Sequence, residues 1–436
     1  MSSFCVNLKN KLNNLICDME KYSYLFTKNP KSDFTRKRNL SFSTTMNLLI
    51  SMGGNTLNKE LLEYFNYNTE TVTSSAFVQR REKILPLAFK FLFNEFNAVI
   101  PNNKLYKGYR LLAIDGSDLA YPANKEDTEN YFQTQKNTKA YNLIHLNAVY
   151  DLLNRTYVDA EIQSRRKFNE HAALISMVDR FKWDNKAIFI ADRGYESYNN
   201  FAHINNAGYN FLIRVKDIDS GGILSSFSFD DCEFDITIKR LLTRVQTNDI
   251  KNAPDIYKFL PNNSKFDYLP PKSKDFYEIN FRVVRFKISD DKYECLITNL
   301  KENEFNIADL KELYHKRWGI ETSFRELKYS IGLINFHSKK AEFIMQEIYA
   351  RLIMYNFCET ITTHTIITTK STVHSYQANF TMAIQICKKF YCPVSNINPL
   401  NVEALIQNYI LPVKKGRQKV RKPKNKSAVC FNYRIA

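Results

Sequence analysis

The amino-acid pattern predicts a mixed α/β protein, and three observations carry that prediction. Apolar residues recur at three- and four-residue spacing over roughly the first hundred positions, short β-rich runs alternate with helical segments from about residue 108, and helical periodicity returns after about residue 305.

In the first region, TTMNLLISM, LNKELLEYF and FVQRREKILPLAFKFLFNEFN read as helices broken by GGN and NYNTETVTSS, predicting a small all-helical unit over 1–105. Just before them, FTRKRNLSF groups Arg36, Lys37 and Arg38 beside aromatics, a turn suited to DNA phosphates or equally to water. The core begins at 106–215 with the strand-like runs RLLAI, LIHLNAVYD, RTYVDAEIQ, KAIFIAD and YNFLIRV. One helix, NEHAALISMVDRFK, falls between the third and fourth runs, and another around YESYNNFAHI precedes the fifth.

Residues 216–305 interrupt this layout with FDITI, EINFRVVRFKI and YECLITNL around a Pro/Asn/Lys-rich loop, which reads as a β-rich insertion rather than a continuation of the core sheet. The core resumes at 306–340 with the helix holding YHKRWGIETSFRELK. A helical C-terminal region follows over 341–410, and then a basic tail over 411–436 in which KKGRQKVRKPKNK carries no acid.

Composition narrows the function classes. With 44% hydrophobic residues in 436, the chain can bury real cores. No apolar run approaches the roughly 18 residues of a membrane span, and the N-terminus lacks a signal-peptide core, so the cytoplasm is the expected location, with no membrane partner. The eight cysteines are scattered without CxxC pairs or Cys/His clusters, which argues against zinc and disulfides. A net charge of +17 draws in polyanions, although part of it reflects a chain crowded with Lys, Asn and Ile.

On a helical wheel at about 100° per residue, Tyr314, Arg317, Glu321 and Lys328 share a polar arc of about 60°. Leu313, Ile320, Phe324, Leu327 and Ile331 form the adjacent apolar stripe that docks the helix, while Glu326 points elsewhere. Arg317 and Glu321 by themselves would make an ordinary i,i+4 surface pair. Two further acids change that reading: LLAIDGSD places Asp115 at the end of a buried strand, and IFIADRGYE does the same for Asp192. Two aspartates and a helical glutamate offer oxygen ligands suited to two hard cations such as Mg²⁺, with Mn²⁺ able to substitute. Asp118 is an alternative to Asp115, which is preferred because it terminates the apolar run.

The spacing Tyr314, two residues, Arg317, three residues, Glu321, six residues, Lys328, taken with IDGSD and ADRGY in that order, resembles the YREK signature of the IS-four family of insertion-sequence transposases, a branch of the DDE transposases. The resemblance covers roughly 108–340. It implies an RNase H-like core with a β-rich insertion, in which Asp115, Asp192 and Glu321 are catalytic and hold two Mg²⁺ ions. It also implies that Tyr314, Arg317 and Lys328 contact DNA phosphates and that Trp318 offers a stacking surface for a flipped base or else packs in the core; Arg193 and Gly194 shape the turn beside Asp192, and Arg193 is a candidate DNA contact. The expected activity is cut-and-paste transposition by a homodimer on paired ends, acting on double-stranded terminal inverted repeats and target DNA near the bacterial nucleoid. The alternatives are a nuclease on the same core that does not join strands, and a catalytically inactive DNA-binding derivative.

Overall fold

The computed structural model of the chain describes residues 3–133, 139–289, 292–365, 375–392 and 400–413. Five helices lead: α1 (Ser3–Lys21), α2 (Phe42–Ser51), α3 (Leu57–Tyr64), α4 (Ser74–Arg81) and α5 (Pro86–Val99). Ser41 and Thr73 cap α2 and α4 by accepting backbone N–H groups of Thr44 and Ala76. Pro86 at the start of α5 divides FVQRREKILPLAFKFLFNEFN into two helices, because proline suits a first turn and not a helix interior.

Next come β1 (Arg110–Pro122), β2 (Tyr131–Phe132), β3 (Tyr141–Asp151), β4 (Thr156–Ser164), α6 (Glu170–Arg180), β5 (Ala187–Ala191), α7 (Tyr198–Asn206) and β6 (Asn210–Val215). β1, β3 and β4 pair antiparallel, whereas β1, β5 and β6 pair parallel, so the central order is β4-β3-β1-β5-β6. Three antiparallel strands followed by two parallel ones joined through helices is the RNase H-like sheet.

The segment 216–305 supplies β7 (Phe234–Thr243), α8 (Asn248–Asn252), β8 (Tyr257–Phe259), β9 (Phe276–Ser289) and β10 (Lys292–Thr298). It is β-rich, as its composition predicts, but it corrects the expectation of a unit apart from the core sheet. β10 pairs antiparallel with β6, then β9 with β10 and β7 with β9, extending one sheet to ten strands. The open edge of β6 presents unpaired backbone groups, and an inserted strand satisfies them.

The chain closes with α9 (Ile307–Lys316), α10 (Trp318–Arg325), a π-helical turn at Glu326–Ser330, α11 (Ala341–His364), β11 (Tyr376–Ala378), α12 (Phe380–Tyr391), α13 (Val402–Asn408) and β12 (Ile410–Pro412). α11 is buried on all sides from Ile348 to Ile361 and packs on α2, α5, α12 and β4. The N-terminal helices therefore do not close a core of their own. Leu48, Phe89 and Phe93 share one apolar cluster with Ile353 of α11, Phe324 of α10 and Ala113 of β1. Inside this cluster Arg81 bonds Glu347 at 2.9 Å, both side chains being 1% exposed.

No described helix is long and apolar enough to cross a membrane. The seven described cysteines form no disulfide. The basic run KKGRQKVRKPKNK lies outside the described residues.

Candidate active site

The alternation of β1 sorts its side chains. Leu112 and Ile114 join the α6/α7 side of the sheet, while Leu111 and Ala113 face the α9/α10/α11 side. Asp115 follows in the second set. On β5, Ile188 and Ile190 pack against Leu310, Leu313 and Tyr314 of α9, which puts Asp192 on that same face. The parallel register runs to Ala113 opposite Ile190, so Asp115 and Asp192 each stand two residues beyond it.

Asp192 follows the end of β5 as expected, and its Oδ1 caps the turn Arg193–Tyr195 by accepting from Gly194 N at 2.7 Å. Asp115 does not end its strand. β1 continues to Pro122 against β3, while the pairing with β5 stops at Ala113, two residues before Asp115.

The third acid arrives on the helix. Leu313, Ile320, Phe324, Leu327 and Ile331 are all buried, as the apolar stripe requires. The helix is not one regular α-helix, however. It tightens at Arg317, where Arg317 N bonds Tyr314 O and Ile320 N bonds Arg317 O, and widens at Glu326–Ser330, where Ile331 N bonds Glu326 O. The wide turn brings Lys328 Nζ to Ser117 Oγ at 2.7 Å and Asp118 O at 3.0 Å, beside Asp115 on β1. Glu326 lies on the α11 side, accepting from Tyr355 Oη at 3.0 Å.

Burial, reinforced by the charges of Asp192 and Glu321, pushes the Asp115 carboxyl up to about 6 against the pull of Gly116 N and Arg317. Asp115 thus lies within electrostatic reach of both Asp192 and Glu321. They do not yet form a single coordination sphere: among the described residues no three His, Cys, Asp or Glu side chains are grouped closely enough to hold a metal ion. Each acid instead leans on a nearby donor, Asp115 on Gly116 N at 2.9 Å, Asp192 on Gly194 N, and Glu321 on Arg317 Nη2 at 2.8 Å. The all-oxygen donor set fits a hard divalent cation, and the raised Asp115 carboxyl is what a neighbouring positive charge would lower.

The Arg317–Glu321 pair forms, but it is no surface pair, since Arg317 is 4% exposed and Glu321 31%. Burial works against the guanidinium, and Glu321, Tyr314 and Asp115 together still raise its pKa. Tyr314 is buried rather than presented on the surface; burial raises its phenol to about 12, and its hydroxyl has no hydrogen-bond partner among the described residues. Trp318 is 50% exposed with the Arg317 guanidinium 5.1 Å from its ring, which removes the packed-core reading. Arg193 is exposed on the turn after Asp192. Arg36, Lys37 and Arg38 occupy an exposed turn before α2, and none is among the main charges acting on Asp115.

Asp118 faces the other side of β1. Its Oδ1 lies 2.8 Å from His145 Nδ1 and 3.1 Å from Arg165 Nε. His145 Nε2 lies 3.0 Å from Glu170 Oε1, and both carboxylates raise the imidazole pKa although burial opposes them. This cluster explains Gly116: a Cβ there would come within 2.5 Å of His145 Nε2 and 2.6 Å of Glu170 Oε1.

Two residues of this neighbourhood escaped the sequence reading. Arg214 of β6 places its guanidinium 5.8 Å from the Tyr314 ring and 3.6 Å from Glu294 of β10, and its Nε has no hydrogen-bond partner among the described residues. Burial raises the Glu294 carboxyl against the pull of Arg214 and Arg317. A charge inside the apolar runs FLIRV and YECLIT was the available signal.

The sheet is RNase H-like, with Asp115 and Asp192 each two residues beyond the last paired positions of β1 and β5. The family model for the transposase DDE domain matches residues 106–357, and the chain belongs to that family, whose chemistry is metal-dependent phosphoryl transfer on DNA. The chain is also similar to piggyBac transposase, seen by cryo-EM in a synaptic complex with hairpin DNA, with 8% identity, 89% of this chain and 79% of that chain covered, and a TM-score of 0.44. No curated protein matches the chain.

Proposed function

We propose that this protein is a cut-and-paste transposase of the IS-four type, which nicks the terminal inverted repeats of its own element and joins the freed 3′-hydroxyls to target DNA. The observation that carries this reading is the electrostatic convergence of Asp115, Asp192 and Glu321 at the parting of β1 and β5, with Arg317 among them. Those three acids are the residues that would hold two Mg²⁺ ions. Bound there, the ions would make a water or 3′-hydroxyl a better nucleophile and stabilise the leaving oxygen of an in-line displacement.

The chain's own residues supply the rest. Arg317 offsets the acidic field and keeps Glu321 oriented through its 2.8 Å bond. Lys328, held over Ser117, presents a cation where the scissile strand would lie. The exposed Trp318 offers a face for a displaced base, and Arg193 an exposed cation on the turn after Asp192. Tyr314 would donate its unpartnered hydroxyl to a phosphate oxygen only after a small opening of its buried setting.

The test is cleavage of the element's ends by the purified protein with Mg²⁺. The parent should nick and then join them, and Glu321→Gln should do neither. Cleavage without strand-transfer products would favour a nuclease. DNA binding with no metal-dependent cleavage would favour an inactive derivative.

A further inference from the structure

Away from the acids, an open cavity of about 450 Å³ is lined by Phe132, Tyr141, Leu143, Arg165 and Arg166. Phe132 and Tyr141 are cross-strand partners on β2 and β3, with ring centroids 6.1 Å apart and planes 20° from parallel. The Arg166 guanidinium lies 5.1 Å from the Phe132 ring, and its Nη2 donates to Tyr131 O at 2.9 Å. Arg165 stacks 3.8 Å from the Phe168 ring, and its backbone N–H donates to Asn130 Oδ1 at 3.1 Å. The segment between β4 and α6, which reads RRKF, is thus pinned onto the β2 hairpin, with cations and flat rings held together before any partner arrives.

We propose that this surface binds an unpaired stretch of a DNA strand, with a base against the Phe132 and Tyr141 rings and a phosphate on Arg166, Arg165 being already paired with Asp118 at 3.1 Å and holding the segment in place. The inference rests on the DNA-acting reading above. Aromatic rings accept the face of a base only when that face is not stacked inside a duplex, and neighbouring guanidinium groups match phosphate oxygens. An acidic peptide would use the cations and leave the rings idle, while an apolar partner would bury Arg166 without a counter-charge. The cavity volume falls in the range in which proteins hold small ligands.

The surface is distinct from the acidic site. Tyr141 stands opposite Pro122, seven residues along β1 from Asp115 and about 24 Å away at 3.4 Å per residue. Leu143 and His145 stand opposite Ala120 and Asp118, on the face of β1 turned away from Asp115. Its occupant is therefore DNA flanking the cut, not the scissile phosphate.

The experiment is fluorescence anisotropy in chelator with two labelled DNAs of the same end sequence, one a blunt duplex and one carrying a single-stranded extension. The parent should bind the extended DNA more tightly, by roughly 5- to 150-fold for each base stacked. Phe132→Ala and Arg166→Ala, checked for unchanged thermal melting, should narrow that gap, and Phe132→Tyr should keep it. A parent that shows no preference for the extension, or alanine variants that keep it, would overturn the proposal while leaving the transposase reading intact if blunt ends are still cut with Mg²⁺. A parent that binds neither DNA would overturn both.

Discussion

Asp115 and Asp192 stand the same two residues beyond Ala113 and Ile190, the last paired positions of adjacent parallel strands, and the charge of Asp192 helps raise the Asp115 carboxyl. The Asp115 carboxyl titrates at about 6 in the folded chain against an ordinary 3.8. Between those values the folded state holds more protons than the unfolded one, so stability falls as pH rises through that window, and the full cost persists above it. The gap corresponds to about 3 kcal/mol at neutral pH. In chelator at pH 7.5, a pH chosen well above the window, Asp115→Asn should melt at a higher temperature than the parent, with the difference vanishing toward pH 4. Equal melting at both pH values would refute the raised carboxyl.

Arg317, whose guanidinium is buried, bonds the partly exposed Glu321 carboxylate at 2.8 Å. Arg317→Ala should lower single-turnover cleavage by on the order of 10²–10³-fold, the usual cost of losing one preorganised donor. It should also lower the Mg²⁺ concentration at half-maximal rate, since an acidic cluster without its internal cation attracts a divalent ion more strongly. A rate loss accompanied by a higher Mg²⁺ requirement would mean that Arg317 organises the acids rather than competing with metal for them.

Lys328 is anchored to Ser117 Oγ and Asp118 O by the π-helical turn. If it presents its charge to a phosphate, Lys328→Met should weaken binding to all duplexes alike and reduce the magnitude of the salt-dependence slope by about 1. An unchanged slope would confine Lys328 to pinning the helix onto β1.

In the core, burial by itself would raise Glu347, but Arg81 and then His337 and Arg351 hold it down at about 2. Its stabilising contribution is therefore complete above the ordinary carboxylate range and is lost as pH falls toward 2. Arg81→Met should cost about 3–5 kcal/mol in urea unfolding at pH 7, because it strands a buried carboxylate. Arg81→Met with Glu347→Leu should recover much of that loss. If the double variant is no more stable than the single one, the pair is not the reason for the cost.

Where neighbours in sequence set the outcome, the reading from residues held. The five core strands, the two helices between them and the apolar stripe from Leu313 to Ile331 follow from periodicities of two and 3.6, which are properties of the local backbone. The reason given for preferring Asp115 over Asp118, that it ends its strand, does not hold. The strand runs on, and the two acids differ because alternation sends them to opposite faces.

What the sequence by itself determined is the set of elements and the presence of three acids with a basic, aromatic signature at fixed spacing. Only the tertiary structure decided that residues 216–305 extend the core sheet, that Tyr314 and Arg317 are buried, that Lys328 reaches β1 through a widened turn, and that Arg214 and Glu294 border the site. Burial and strand pairing depend on surfaces brought together from distant parts of the chain, and a local pattern carries no record of which surface will cover it.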